Sequence, residues 1–232
     1  FFGRNYFECS TNDFFKLSSL ILQSACLKKG VLEMKFTARK LVMIAIFGAL
    51  SYVLMLFKFP LPFMPPFMDF DLAGIPELLG AFLLGPVSGI FIVLIKLLIK
   101  LATVGTASMF TGEIQNFILS LSFILPASLF YQRSTNKGSA LKGMLAGTAL
   151  VTFVACLSNV YFIIPFYTKL YGMSMEAIIA MTQAVNPMVD SVWKLVVIGI
   201  IPFNLIKYGV TTAIVYFSLD RLRAIFLRRE YL

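Results

Sequence analysis

Apolar runs broken by short polar or Pro-rich segments set the plan of this chain. Six stretches read as membrane-crossing helices, at about 41–57, 72–84, 87–103, 113–131, 144–166 and 191–219. A helix needs roughly 20 apolar residues to cross a hydrocarbon core about 30 Å thick, so the second stretch is short. Gly85-Pro86 is a helix-stopping signal between spans two and three. Pro202 should kink span six. The connections differ in character. KFPLPFMPPFMDFD holds Pro60, Pro62, Pro65 and Pro66, so it is no regular helix. It is also too apolar for an ordinary solvated loop, and its phenylalanines would suit the wall or cap of a cavity. VGTASMFTG is a small-residue loop, and QRSTNKGSALKG is the clearest polar linker. A short helix is predicted over 174–184, with Ser174 as its N-cap.

Composition agrees with this pattern. The chain has 232 residues, 59% hydrophobic and 13% charged, with a mean hydropathy of +0.88. Soluble domains carry about 25% charged residues. The chain therefore reads as an all-α integral membrane protein, with one six-helix membrane domain over 34–232. The first 33 residues lack a starting Met and mix polar with apolar positions. They are read as an upstream extension ahead of a natural start at Met34, with an amphipathic surface helix as the competing reading.

The net charge of +9 does not point to nucleic acid, because the basic residues gather at the ends of apolar runs. With six spans, both termini share a side. That side would hold Lys35, Arg39, Lys40, Arg133, Lys137, Lys142, Arg221, Arg223, Arg228 and Arg229; the other has Lys58 and Lys169. Positive charge collects on the cytoplasmic side, so both termini are expected there. The three unusual connections would then meet on the outer face, where a binding site is expected.

Enzyme chemistry finds little support. There is no GxxxxGK[ST], HExxH or GxSxG pattern and no paired carboxylates within a span. With no His, the commonest general base is missing. Cys9, Cys26 and Cys156 form no CxxC pair, so neither a metal site nor a disulfide framework is expected. No catalytic residue is assigned.

Polar residues inside the spans carry more information. Lys207 lies near the middle of span six, and Asn204, three residues earlier, shares its helix face. A charge at the centre of a bilayer costs about 2.5–3.5 kcal/mol on insertion scales, so such a lysine marks a functional site by default. The alternative is a lysine that snorkels to the interface. Asn159 lies in span five, and Glu113, Gln115 and Asn116 open span four. Glu113 is a candidate counter-ion for Lys96 or Lys100, or for Lys207 itself. The asparagines are either interhelical glue or, with Lys207, readers of a flat heterocycle bearing carbonyl and imino groups. The pairs Ala45/Ala49, Gly85/Gly89 and Gly143/Gly147 each permit close helix approach.

Three segments resemble a known family: DFDLAGIPELLGAFLLGPVSGIFIVLIK from Asp69, GEIQNF from Gly112, and IIPFNLIK from Ile200. From about Met34 onward the chain is similar to the substrate-binding S components of energy-coupling-factor (ECF) vitamin transporters, most closely the riboflavin-specific member. The resemblance implies a six-helix fold that binds one vitamin near the outer face of a prokaryotic-type cell membrane. It implies no cofactor and no ATPase of its own, with riboflavin as the transported ligand. The implied partners are a membrane coupling subunit and two cytoplasmic ATPases. It implies docking on the coupling subunit through Ala45 and Ala49. Asn204 and Lys207 would bind the isoalloxazine ring, helped by Asn159, with Phe67 and Met68 of the first outer loop closing over it. Asn116 and Glu113 complete the expected site. The rival readings are the same fold for thiamin or a folate, or a membrane-embedded enzyme.

Overall fold

A computed structural model describes residues 37–65, 68–106, 108–170, 172 and 174–228; the proposed extension over 1–33 lies outside them. The described residues are helical almost throughout. Helix α1 spans Ala38–Leu56. The Pro-rich segment forms a two-stranded antiparallel hairpin, β1 (Phe59–Pro60) paired with β2 (Asp69–Phe70). There follow α2 (Gly74–Leu84), α3 (Pro86–Thr103), α4 (Thr111–Arg133) and α5 (Lys137–Ser158). A π turn, Asn159–Ile163, joins α5 to α6 (Ile164–Leu170). Then come α7 (Met175–Gln183) and α8 (Val192–Lys194). A second π turn, Leu195–Ile200, leads into α9 (Ile201–Arg228).

Among the described residues, five helical stretches are long and apolar enough to cross a membrane: Ala38–Leu56, Pro86–Thr103, Thr111–Arg133, Lys137–Lys169 and Val192–Arg221. The sixth, α2, has 11 residues, or about 16 Å of helix. It compensates by position. It packs against α1, α3, α4 and α9, and every residue from Pro76 to Phe82 is buried. A helix surrounded by others needs no lipid-facing length. Gly85 ends it at φ +98°, in the left-handed region that glycine enters without steric cost. The chain then reverses into α3 with Pro86 in its first turn.

Both π turns lie just before a proline, Pro165 and Pro202. Proline has no N–H and its ring clashes with the carbonyl four residues earlier. Those carbonyls belong to Tyr161 and Ile198, each inside a π turn. The wider turn absorbs the clash, so each span continues. The kink signal at Pro202 thus takes the form of a π bulge. Span five, expected to end near residue 166, runs on through α6.

The polar linker is shorter than the sequence suggests. Gln132 and Arg133 still belong to α4, and α5 begins at Lys137, seven residues before the expected start. Asn136 caps α5 by accepting the Ser139 N–H at 2.7 Å, and Lys137 pairs with Asp220 at 2.5 Å. The polar residues form the first turns of the helix rather than a loop. Ser174 does cap α7, accepting from the Ala177 N–H.

Three hydrogen bonds place the unusual connections at one end of the bundle. Tyr52 meets Thr103 at 2.5 Å, which brings the C-terminal ends of α1 and α3 together. Gln115 donates to Ser158 at 2.9 Å, joining the start of α4 to the end of α5. Asn186 donates to the Phe63 carbonyl at 3.2 Å, which seats the hairpin loop beside the segment after α7.

The small-residue pairs have different neighbours. A methyl added at Gly89 would lie 2.8 Å from Ala81 Cβ, so this position lets α3 approach α2. Added at Gly143 it would lie 2.7 Å from the Ala127 carbonyl oxygen, and at Gly147 2.5 Å from that of Phe123. These two glycines let α5 lie directly against the α4 backbone. Ala45 and Ala49, by contrast, are exposed on the outer face of α1, beside Leu41, Val42, Ile46 and Leu50.

Gly147→Ala should therefore destabilise the protein by about 1–3 kcal/mol through overpacking, read from thermal unfolding in detergent. Unchanged stability would show that α4 and α5 do not approach this closely.

Candidate functional site

Two ion pairs meet in the interior of the bundle among the described residues. Lys207 on α9 donates to Asp71 Oδ2 at 2.7 Å. Lys96 on α3 forms an ion pair with Glu77 on α2, and both side chains are only 1% exposed. Hydroxyl and amide groups finish the network. Lys96 also donates to Asn116 Oδ1 at 2.7 Å and lies 3.5 Å from Ser120 Oγ. The Ser51 hydroxyl lies 2.9 Å from the Ala73 carbonyl and 3.0 Å from Glu77 Oε1, so one proton serves two acceptors.

Local sequence explains how these groups converge. Asp71 directly follows β2. Its Oδ1 accepts the Ala73 N–H at 3.0 Å, a turn typical of Asp before a helix. This fixes the carboxylate at the entrance to α2, facing α9. Glu77 lies about two turns further on and points to α3. The charges surround a cavity of ≈ 40 Å³ lined by Asp71, Glu77, Lys96, Asn116, Lys207 and Tyr208. The Tyr208 ring packs on Phe123 with centroids 4.7 Å apart.

Lys207 thus takes Asp71 as its counter-ion, not Glu113. Glu113 is claimed by Lys100, and its second oxygen accepts from Thr106 at 3.1 Å and Ser108 at 3.2 Å. It ties the connection after α3 to both flanking helices and does not line the cavity. The counter-ion for Lys96 is Glu77, while Asn116 joins the network by accepting from the same ammonium.

The two other asparagines lie above this layer. Asn159 opens the first π turn and donates to the Ala155 carbonyl at 2.7 Å. Asn204 donates to the Ile200 carbonyl at 2.8 Å. Both are buried. Ala155 and Ile200 belong to one apolar cluster with Val196, against which Met68 packs. The structure therefore gathers Asn159, Asn204 and Met68 around one apolar patch, with Lys207 about a turn along α9 from Asn204. Phe67 lies outside the described residues.

The hairpin loop covers this region. Pro65 is buried, and a methyl added at Gly199 would lie 2.9 Å from its Cγ. Lys58 and Asp69 pair at 2.5 Å across the hairpin base, and the Phe59 and Phe70 rings meet at a tilt, with centroids 5.1 Å apart.

Asp71 and Glu77 are absent from the residues singled out by sequence. The cost of a charge in an apolar span, which picks out Lys207, applies equally to Glu77. Asp71 is harder to find, because it lies in a loop by pattern and in the interior only by packing.

Comparison with known proteins follows the same lines. The family model for the ECF transporter, substrate-specific component, matches residues 39–219. The chain is 32% identical to the riboflavin transporter RibU of Staphylococcus aureus (strain TCH60), over 82% of this chain and 93% of that protein. It is 33% identical to the riboflavin transporter FmnP of Bacillus subtilis (strain 168), over 77% of this chain and 88% of that protein. A solved structure described as "Structure and mechanism of the S component of a bacterial ECF transporter" matches with a TM-score of 0.63. It is 32% identical and covers 82% of this chain and 97% of its own.

Breaking the innermost pair should be costly. Glu77→Gln leaves Lys96 buried without a counter-ion and should destabilise the protein by about 3–5 kcal/mol, whereas Glu77→Leu with Lys96→Met should be close to neutral. Unfolding in detergent measures both. Equal losses in the single and double variants would contradict the pairing.

Proposed function

We propose a function from one premise: this chain belongs to the ECF transporter substrate-specific components. It is a multi-pass protein of the cell membrane, and its family consists of transport components rather than enzymes. Its activity is riboflavin uptake as the substrate-specific subunit of the transporter. The two relatives described above, both bearing the name riboflavin transporter, support that substrate.

The site chemistry is consistent with such a ligand. The observation that carries the reading is the alignment of Asn204 and Lys207 on one face of α9, beside the apolar patch and beneath the hairpin. The isoalloxazine ring is flat and carries two carbonyls around an imide N–H. An ammonium donates to carbonyls, and an asparagine amide can both donate and accept. In the proposed arrangement Lys207 and Asn204 meet the polar edge of the ring, with Asn159 beside them. Phe67 and Met68 cover its face. Asn116 and Glu113 hold the surrounding frame by engaging Lys96 and Lys100. Pockets for ligands of this size hold about 300–1,000 Å³, far more than the cavity between the ion pairs. Capture therefore begins with the hairpin lifting from α9 and ends with its return.

The proposal extends to energy and orientation. Work comes from a membrane coupling subunit and two cytoplasmic ATPases, and the exposed Ala45/Ala49 face of α1 docks on the former, since small residues let helix backbones approach. Both termini lie in the cytoplasm, and the hairpin faces outward.

The purified protein should quench riboflavin fluorescence on binding. Asn204→Ala with Lys207→Ala should weaken binding more than about tenfold, since a hydrogen bond to a charged group contributes about 1.5–3 kcal/mol. Affinity unchanged by this pair of substitutions would reject the site. For orientation, Ser134→Cys in a background lacking Cys9, Cys26 and Cys156 should resist a membrane-impermeant thiol reagent in intact cells, and Gly105→Cys should react. The opposite labelling would invert the topology.

A further inference from the structure

Asp71 has an unusual pair of attachments. One carboxylate oxygen accepts the Ala73 N–H and the other accepts the Lys207 ammonium. It follows β2 directly, so the foot of the hairpin, the start of α2 and the second turn of α9 meet at one side chain. Only 8% of that side chain is exposed, and 16% of Lys207. The other polar side chains lining their shared cavity are Glu77 from α2, Lys96 from α3, Asn116 and Ser120 from α4, and Tyr208 and Thr211 from α9. Glu77 and Lys96 are already paired, which leaves Asp71 as the counter-ion of Lys207 among the described residues.

An ammonium has three N–H donors, and Asp71 uses one. The other two can serve a ligand while the pair stays intact. An uncharged ring could not replace the carboxylate, because carbonyl oxygens offer hydrogen bonds but not a full opposing charge. We infer that Asp71 is a positioning residue for ligand binding: it holds the Lys207 ammonium at the angle the ligand meets, and its entire effect on the ligand passes through Lys207. This rests on the riboflavin reading given above. It adds a residue from the foot of the hairpin to a site otherwise carried by α9 and the residues around it.

The residue's two roles are chemically separable. Asn at position 71 keeps an acceptor for the Ala73 N–H, removes the charge, and turns an amide N–H₂ toward the ammonium. Glu restores the charge on a longer stem. A purely helix-capping role would tolerate Asn, whereas a counter-ion role would not.

The test is a riboflavin-binding cycle by fluorescence titration of the purified full chain. Asp71→Asn should raise Kd about tenfold or more, the range for losing an aligned charge-assisted contact, and Asp71→Glu should recover most of the loss. In a Lys207→Met background, Asp71→Asn should change Kd less than about twofold, because groups that act through one another are not additive. If Asp71→Asn does not fold, the double variant, which leaves no uncompensated charge, is compared with Lys207→Met alone. Near-equal Kd values support the assignment, and a further tenfold loss overturns it. Full affinity in Asp71→Asn also overturns it. Absence of riboflavin binding by the unaltered protein would overturn the transport reading and this assignment with it. Binding with independent, multiplying losses overturns the assignment alone.

Discussion

A charge removed from water needs a counter-charge close by, and this bundle is arranged around two such pairs. Desolvating an ion costs several kcal/mol even after the protein relaxes, and only a well-placed partner with further hydrogen bonds offsets that. Glu77–Lys96 meets this condition between consecutive helices, and Asp71–Lys207 across 136 residues of sequence. Both acids belong to the stretch from β2 through α2. That explains why so short a helix occupies the centre: with the turn that leads into it, it delivers two carboxylates to lysines on α3 and α9 without needing a lipid-facing side of its own. Ser51, Asn116 and Ser120 then supply the remaining partners, each from a different surrounding helix or turn of it. An apolar centre of similar volume would be at least as stable, so the charges are best understood through what the site must bind.

Much of this plan was legible in the sequence. The apolar runs located the spans, and Ser174 located the start of α7. Lys207 and Asn204 stood out because a polar pair at helical spacing inside a 20-residue apolar stretch has few structural excuses. What escaped notice was the pairing. Glu113 does pair with Lys100, one of the lysines the sequence offered it, and accepts from Thr106 and Ser108 as well, so it is not available to Lys96 or Lys207. Asp71 looked like part of a loop. Its role depends on the hairpin folding back over the bundle, and a linear pattern does not encode that. The linker after α4 misled for a related reason: polar residues at the membrane surface can begin a helix as readily as end one, and the Asn136 cap decides which.

The two π turns show one solution used twice. Pro165 and Pro202 would each interrupt a span, and each is preceded by a widened turn that carries an asparagine at its edge or just beyond it, Asn159 and Asn204. Such turns recur at functional sites. Here they displace the backbone where the apolar patch of Ala155, Val196 and Ile200 meets Met68. Each asparagine amide donates to a carbonyl one turn back, so its orientation is set within its own helix and does not depend on a neighbour.

Gly199 sits in the second of these turns, directly under Pro65. The missing side chain there sets how low the hairpin can rest. In the closed position Pro65 is rigid and α9 is held by its ion pair, so a larger side chain there would keep the hairpin higher. The headroom above the α9 face is therefore a quantity adjustable in single-carbon steps from a position that itself presents no chemistry. A substitution at this one residue would change the fit while leaving every polar group in place.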